Sequence, residues 1–134
     1  MTSDDRRHRF LEGVRLFNAG AFFEAHEAWE DAWRDAAGVD RSFLQGLIQC
    51  AVALEHYRRG NARGAAAMAR RYPPKFRDVP GRYWGVDITA FLDGMRVALA
   101  PVADCEPGSD GTPVVLDSSR VPPIVVEPDG ATGD

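Results

Sequence analysis

The chain has 134 residues, 45% hydrophobic and 27% charged, with a formal charge of −4 at neutral pH. That is enough polymer for a single core, and the balance of apolar and charged residues excludes disorder throughout. No apolar run reaches the ~20 residues of a membrane span. The opening MTSDDRRHRF lacks the apolar stretch of a secretory signal. Two cysteines, Cys50 and Cys105, have neither metal-type spacing nor the numbers for a disulfide scaffold. The expectation is a cytoplasmic protein with reduced thiols and no membrane partner.

Apolar periodicity predicts five helices. The first runs from Asp4 to Asn18 with Phe10, Val14 and Phe17 on one face, is capped by Ser3 or Asp4, and ends at Gly20. The second covers Ala21 to Ala37 and stops at Gly38. The third starts at Asp40 or Ser42 and carries Phe43, Leu47, Cys50, Val52, Leu54 and Tyr57 up to Gly60. Asn61 caps an alanine-rich fourth helix, expected to stop before Pro73-Pro74. Asp87 caps a fifth, with Ile88, Phe91, Leu92, Met95, Leu99 and Val102 in one stripe. No segment of the body has a strand period. The predicted fold class is all-α, with about five helices packed as antiparallel hairpins over residues 4–103.

Residues 104–134 read as an acidic, largely irregular tail. From Cys105 onward there are five Pro, four Gly and six acidic residues against Arg120 alone, a charge of −5. Pro113–Leu116 and Pro123–Val126 are β-branched runs able to dock as extended strands, although composition favours a flexible tail.

The body contains an echo. Phe17-Asn-Ala-Gly20 followed by Ala25 repeats, 40 residues on, as Tyr57-Arg-Arg-Gly60 followed by Ala65. An aromatic, a glycine turn and a close-packing alanine are what an antiparallel helical hairpin needs. Two copies fall short of the ~3 a free-standing solenoid uses. A tetratricopeptide-like interaction module is therefore one reading of the fold.

The second helix places Phe22, His26, Trp29 and Trp33 on one stripe, with Glu30 on its flank. Glu24, Glu27, Asp31 and Asp35 form the opposite, solvated side. This arithmetic puts His26 in the middle of the buried stripe, beside a carboxylate that needs a partner. The third helix carries Gln45, Gln49, Val52 and His56 as a second polar stripe, placed to face the first across an antiparallel pair. Three chemistries fit this cluster. His26 and Glu30, with His56 or Gln49, could share a divalent metal. The same groups could form a satisfied hydrogen-bond network in the core. Glu30 could also hold His26 as a general base. His26-Glu-Ala-Trp-Glu30 lacks the second histidine of the zinc-protease HExxH motif, which argues against that activity.

These residues resemble a known family. Phe17-Asn-Ala-Gly-Ala-Phe-Phe-Glu-Ala-His26-Glu-Ala-Trp-Glu30-Asp-Ala-Trp33-Arg, then Phe43-Leu-Gln45-Gly-Leu-Ile-Gln49, the Arg59-Gly60-Asn61 turn and Gly64-Ala65 are similar to the DUF309 family of bacterial and archaeal proteins. The signature, HxxxExxW, reads here as His26, Glu30, Trp33, and the resemblance covers roughly residues 10–70. It implies a helical domain of unknown biochemical function whose signature residues bind metal, which sets that reading level with the structural one. The acidic tail lies outside it.

Charge is segregated. From Arg58 to Arg82 eight basic residues stand against Asp78, while residues 21–40 hold six acids against Arg34. The basic run with Tyr72, Tyr83 and Trp84 suits a phosphorylated ligand, but the pI near 5.3 argues against nucleic acid. Pairing with the tail, with a second copy or with a protein partner is the plainer expectation. Neither cysteine suits a nucleophile: Cys50 lies on a core helix and Cys105 beside Asp104 and Glu106. No phosphate loop or nucleophile elbow is present.

The site predicted from sequence is a pocket between the second and third helices. His26, Glu30 and His56 are its metal ligands, and Trp29, Trp33, Gln45 and Gln49 its walls. A divalent ion is the expected cofactor, and a metal-dependent hydrolase is conceivable without an implied substrate. The alternative is a helical-hairpin interaction module in which the His/Glu pair is structural.

Overall fold

Thr2, rather than Ser3 or Asp4, caps the first helix, α1 (Ser3–Asn18), in the computed structural model, which describes residues 2–103 and 115–128. Its hydroxyl accepts from the Asp5 N–H, and the Asp5 carboxylate accepts from the Thr2 N–H, both at 3.1 Å. Two orphan donors are satisfied reciprocally. The following elements are α2 (Phe22–Arg34), α3 (Gly38–Arg58), α4 (Ala62–Lys75), strands β1 (Arg82–Tyr83) and β2 (Val86–Asp87), and α5 (Ile88–Ala103). A 3₁₀ turn covers Ser118–Arg120. Each of α1 to α4 packs against the next, and α4 against α5, giving an all-α fold of consecutive hairpins.

The sequence echo is an echo in backbone. Gly20 N–H donates to Phe17 O at 3.0 Å and Ala21 N–H to Leu16 O at 2.9 Å. At the second site Gly60 N–H donates to Tyr57 O at 3.0 Å and Asn61 N–H to His56 O at 2.7 Å. Both glycines have φ of +81°. These are two Schellman turns of the same geometry, each needing the left-handed residue that glycine supplies. The aromatics Phe17 and Tyr57 are buried beneath them, as are Ala25 and Ala65 on the outgoing helices.

The α1–α2 contact is set by Gly13. Trp29 lies wholly inside, its indole N–H donating to Phe10 O at 3.0 Å, and its ring occupies the space a Gly13 side chain would take. Phe10, Phe17, Phe43, Leu44, Leu47, Leu54, Met95 and Leu99 complete one continuous core from α1 to α5.

Three expectations need correction. First, α4 does not stop before Pro73-Pro74 but runs through to Lys75. The prolines remove only their own N–H groups, their fixed φ suits a helix, and their carbonyls accept from Phe76 and Arg77 at 3.1 and 3.2 Å. Buried Tyr72 and Phe76 on either side hold that last turn on the core. Second, α2 ends at Arg34, short of Ala37, and α3 starts at Gly38. Arg41 Nη1 donates to the carbonyls of Trp33 and Ala36 at 3.2 and 3.4 Å, taking over the end of α2. Third, the body does contain a hairpin. Arg82 pairs with Asp87 and Tyr83 with Val86, across a two-residue turn in which Trp84 and Gly85 have φ of +49° and +80°, the signs of a type I′ turn. Trp84 is held in this conformation by edge contacts with Phe10 and Phe43, and its carbonyl accepts from Arg7 at 3.2 Å.

Part of the tail is docked. Asn18 brackets Ile124, donating to its carbonyl and accepting from its N–H, both at 2.8 Å. Ile124 is buried, Glu127 N–H donates to Gly85 O at 2.9 Å, and the Glu127 carboxylate pairs with Arg82 at 3.1 Å. The Pro123–Val126 run thus lies along the body as an extended segment, and in the other run Val115 is exposed while Leu116 packs, partly buried, against the core. Pro113, Val114, Cys105 and four of the tail's acids fall outside the described residues.

Candidate functional site

The buried arc of α2 is Phe22, Ala25, Ala28, Trp29 and Ala32. The small alanines at its centre, which let α1 and α3 approach, shift that arc away from His26. His26 is therefore at the edge of the stripe, not in its middle: its side chain is 20% exposed and that of Glu30 is 37% exposed. Glu30 is not a buried carboxylate. Glu55 on α3 is, and it accepts from Arg58 and Arg59 at 2.6–3.0 Å. The hydrogen bonds from Arg58, more than those from Arg59, hold its carboxyl below the usual range against the opposing effect of burial.

His26 Nδ1 lies 2.6 Å from Phe23 O. A carbonyl can only accept, so Nδ1 carries a proton, and in the neutral form of the ring the lone pair stands at Nε2. That atom is 3.5 Å from Glu30 Oε2, long for a hydrogen bond. Ligands held at ~2.0–2.1 Å on a tetrahedral ion are separated by a similar span. An Nδ1–H on a backbone carbonyl is also the outer support that metal-bound histidines use. The other carboxylate oxygen, Glu30 Oε1, is 3.6 Å from Arg34 Nη2.

Glu30 also forms one wall of a cleft of about 170 Å³ between α2 and α3, with Trp33, Gln45, Ile48 and Gln49. Two atoms there, Trp33 Nε1 and Gln49 Oε1, are buried and without a hydrogen-bond partner among the described residues. Arg41 stacks over the Trp33 ring at 4.0 Å while holding its backbone carbonyl, which fixes the indole in place. A donor and an acceptor left unpaired cost of order 1–3 kcal/mol each. Both belong to residues that line this cleft together with Glu30.

The residues expected to form the site are thus divided. Glu30, Trp33, Gln45 and Gln49 share the cleft, and His26 adjoins Glu30. Trp29 faces α1 and belongs to the core. His56 sits at the α3–α4 turn, where Nδ1 accepts from Asn61 Nδ2 at 3.0 Å and the ring lies against Gly64. Among the described residues, no group of three or more His, Cys, Asp or Glu side chains is placed to hold a metal ion. Cys50 is wholly buried, and burial pushes its thiol well up, leaving it unsuited to nucleophilic work.

The fold and cleft define a helical-hairpin domain with one polar recess between its second and third helices. Residues 10–68 match the model of DUF309, described as a domain of unknown function. The matched span begins at the Phe10 core position and holds both Schellman turns and every cleft residue. An uncharacterised protein of Aquifex aeolicus (strain VF5) is 27% identical over 86 residues, 61% of this chain and 26% of that protein. The chain therefore spans about a quarter of that relative's length. No helix among the described residues is long and apolar enough to cross a membrane.

Proposed function

We propose that the α2–α3 cleft is the working site of the domain and that it takes a divalent transition-metal ion on His26 Nε2 and Glu30 Oε2, next to a small polar ligand. The observation that carries this reading is the 3.5 Å Nε2–Oε2 separation with Nδ1 tied to Phe23 O. The ligand set fits an exchangeable ion and does not fit a closed structural zinc, which uses four protein ligands. Trp33 and Gln49, each with a buried polar atom that has no hydrogen-bond partner among the described residues, line the cleft beside the ion. His56 has no part in this proposal. Imidazole with carboxylate favours zinc, iron or nickel over magnesium or calcium.

Isothermal titration of the full chain with Zn²⁺ and with Mg²⁺ tests the reading. Saturable zinc binding that His26→Ala and Glu30→Gln each remove, with the helical circular dichroism unchanged, supports it. Binding that survives both substitutions overturns it. The second reading, a helical-hairpin interaction module, is favoured by the paired Schellman turns and the matched Phe17/Tyr57 and Ala25/Ala65 positions. Under that reading the variants would alter stability without changing any ion affinity.

A further inference from the structure

Along most of the molecule arginines stand beside carboxylates: Arg15 with Glu12, Arg34 with Glu30 and Asp31, Arg96 with Asp93 and Arg120 with Asp117. Within the basic run, Arg58 and Arg59 are neutralised by Glu55, and Arg82 by Glu127. The remaining five, Arg63, Arg70, Arg71, Lys75 and Arg77, have no carboxylate partner among the described residues. Helix α4 itself contains no acid. Its inner face, Ala65, Ala66 and Tyr72, is buried, while its three arginines, Arg63, Arg70 and Arg71, and both prolines are exposed, as is Arg77 just beyond its end. Arg63 and Arg70 are seven residues apart, so they recur on one face at a rise of ~10.5 Å.

We infer that the outer face of α4 binds the phosphodiester backbone of a nucleic-acid duplex without reading its sequence. Several observations select this partner over an acidic protein or a single strand. A protein interface draws its affinity from aromatic and apolar anchors, and none of the exposed large hydrophobic side chains lies on α4. Single-strand binding needs aromatic rings on which bases stack, and the aromatic of this helix, Tyr72, is turned inward. What remains is a row of cations, four of the five being arginines, whose planar forks match phosphate oxygens. The chain's net negative charge, which taken alone argues against nucleic acid, is not carried by α4. Much of it is carried by α2, where Glu24 and Glu27 are exposed, and by the tail.

The test is fluorescence anisotropy of labelled 20-base-pair RNA and DNA duplexes with the full chain at 50–200 mM KCl. Release of counterions by five contacts gives a log–log salt slope near −4.5, a loss of affinity of roughly 500-fold over that range. Replacing Arg70 and Arg71 with Gln should flatten the slope by ~1.8, and Arg63→Gln by ~0.9. Arg15→Gln, whose arginine is already paired on α1, should leave it unchanged. The RNA and DNA arms decide which duplex is preferred, and binding to either supports the inference. No binding at 50 mM overturns it. So does a slope unaltered in the α4 variants, or tighter binding of polyglutamate or of a single strand than of either duplex.

Discussion

Glu30 Oε2 lies 3.5 Å from His26 Nε2, one helical turn apart, while the Phe23 carbonyl holds the opposite ring nitrogen at 2.6 Å. The consequence is directional. The backbone fixes which nitrogen is free, and the helix fixes what that nitrogen faces, so α2 alone sets the geometry of the pair. The third helix contributes Gln45, Ile48 and Gln49 as the opposite wall of the cleft.

The unpaired indole N–H of Trp33 makes a prediction about stability. Trp33→Phe keeps a ring beneath Arg41 and removes the unsatisfied donor, so urea unfolding should show no loss, or a gain of up to about 1 kcal/mol. A loss above 1 kcal/mol would show that the N–H is bonded in the free protein.

Gly13 is predicted to be intolerant for a different reason. A methyl group there would coincide with the Trp29 ring, and moving that ring would break its bond to Phe10 O. Gly13→Ala should cost about 2–3 kcal/mol, the upper part of the overpacking range, read from the urea midpoint. Gly20→Ala should cost only about 1 kcal/mol, because nothing within 4 Å obstructs the methyl and the penalty is the left-handed φ itself. Gly60→Ala should match it, since the two turns share the same φ and bonding.

Glu55 predicts a pH dependence. Its folded-state pKa lies below the ordinary 4.5, so its contribution is present above pH 4.5 and is lost as pH falls through the lowered value. Glu55→Gln should therefore destabilise the chain at pH 7, by about 1 kcal/mol given the exposed guanidiniums. The difference from the parent should narrow below pH 4.5. Thermal unfolding of both chains between pH 3 and 7 measures it.

Much of the fold is legible in the sequence because glycines and asparagines mark the turns and apolar residues mark the faces. Gly20, Gly60 and Asn61 stand where expected, and Asp87 caps α5 by accepting from Ala90 N–H at 3.0 Å. The failures share a physical cause: they depend on long-range contacts that periodicity cannot see. Pro73 and Pro74 stay helical because Tyr72 and Phe76 are anchored. The Trp84–Gly85 turn forms because Phe10, Phe43 and Arg7 hold it. At the site, helical arithmetic set Glu30, Trp33, Gln45 and Gln49 on facing stripes, and they line one cleft, but it overestimated the burial of His26, because the core-facing arc of α2 runs through Ala25, Ala28 and Ala32 instead. His56 kept the right spacing on its own helix, yet it is engaged by Asn61 at the turn. The local signal for Glu55 was available, with Arg58 and Arg59 three and four residues on.

The most direct test of the account is the two-bond ¹H–¹⁵N spectrum of the imidazoles, recorded on the full chain during titration with Zn²⁺. The chain has three histidines, His8, His26 and His56. Before zinc is added His26 should be the Nδ1–H tautomer. Its Nε2 resonance should then move saturably while those of His8 and His56 stay in place, and Glu30→Gln should abolish the shift. An Nε2–H tautomer at His26, or a zinc response in His8 or His56 with none in His26, would contradict it.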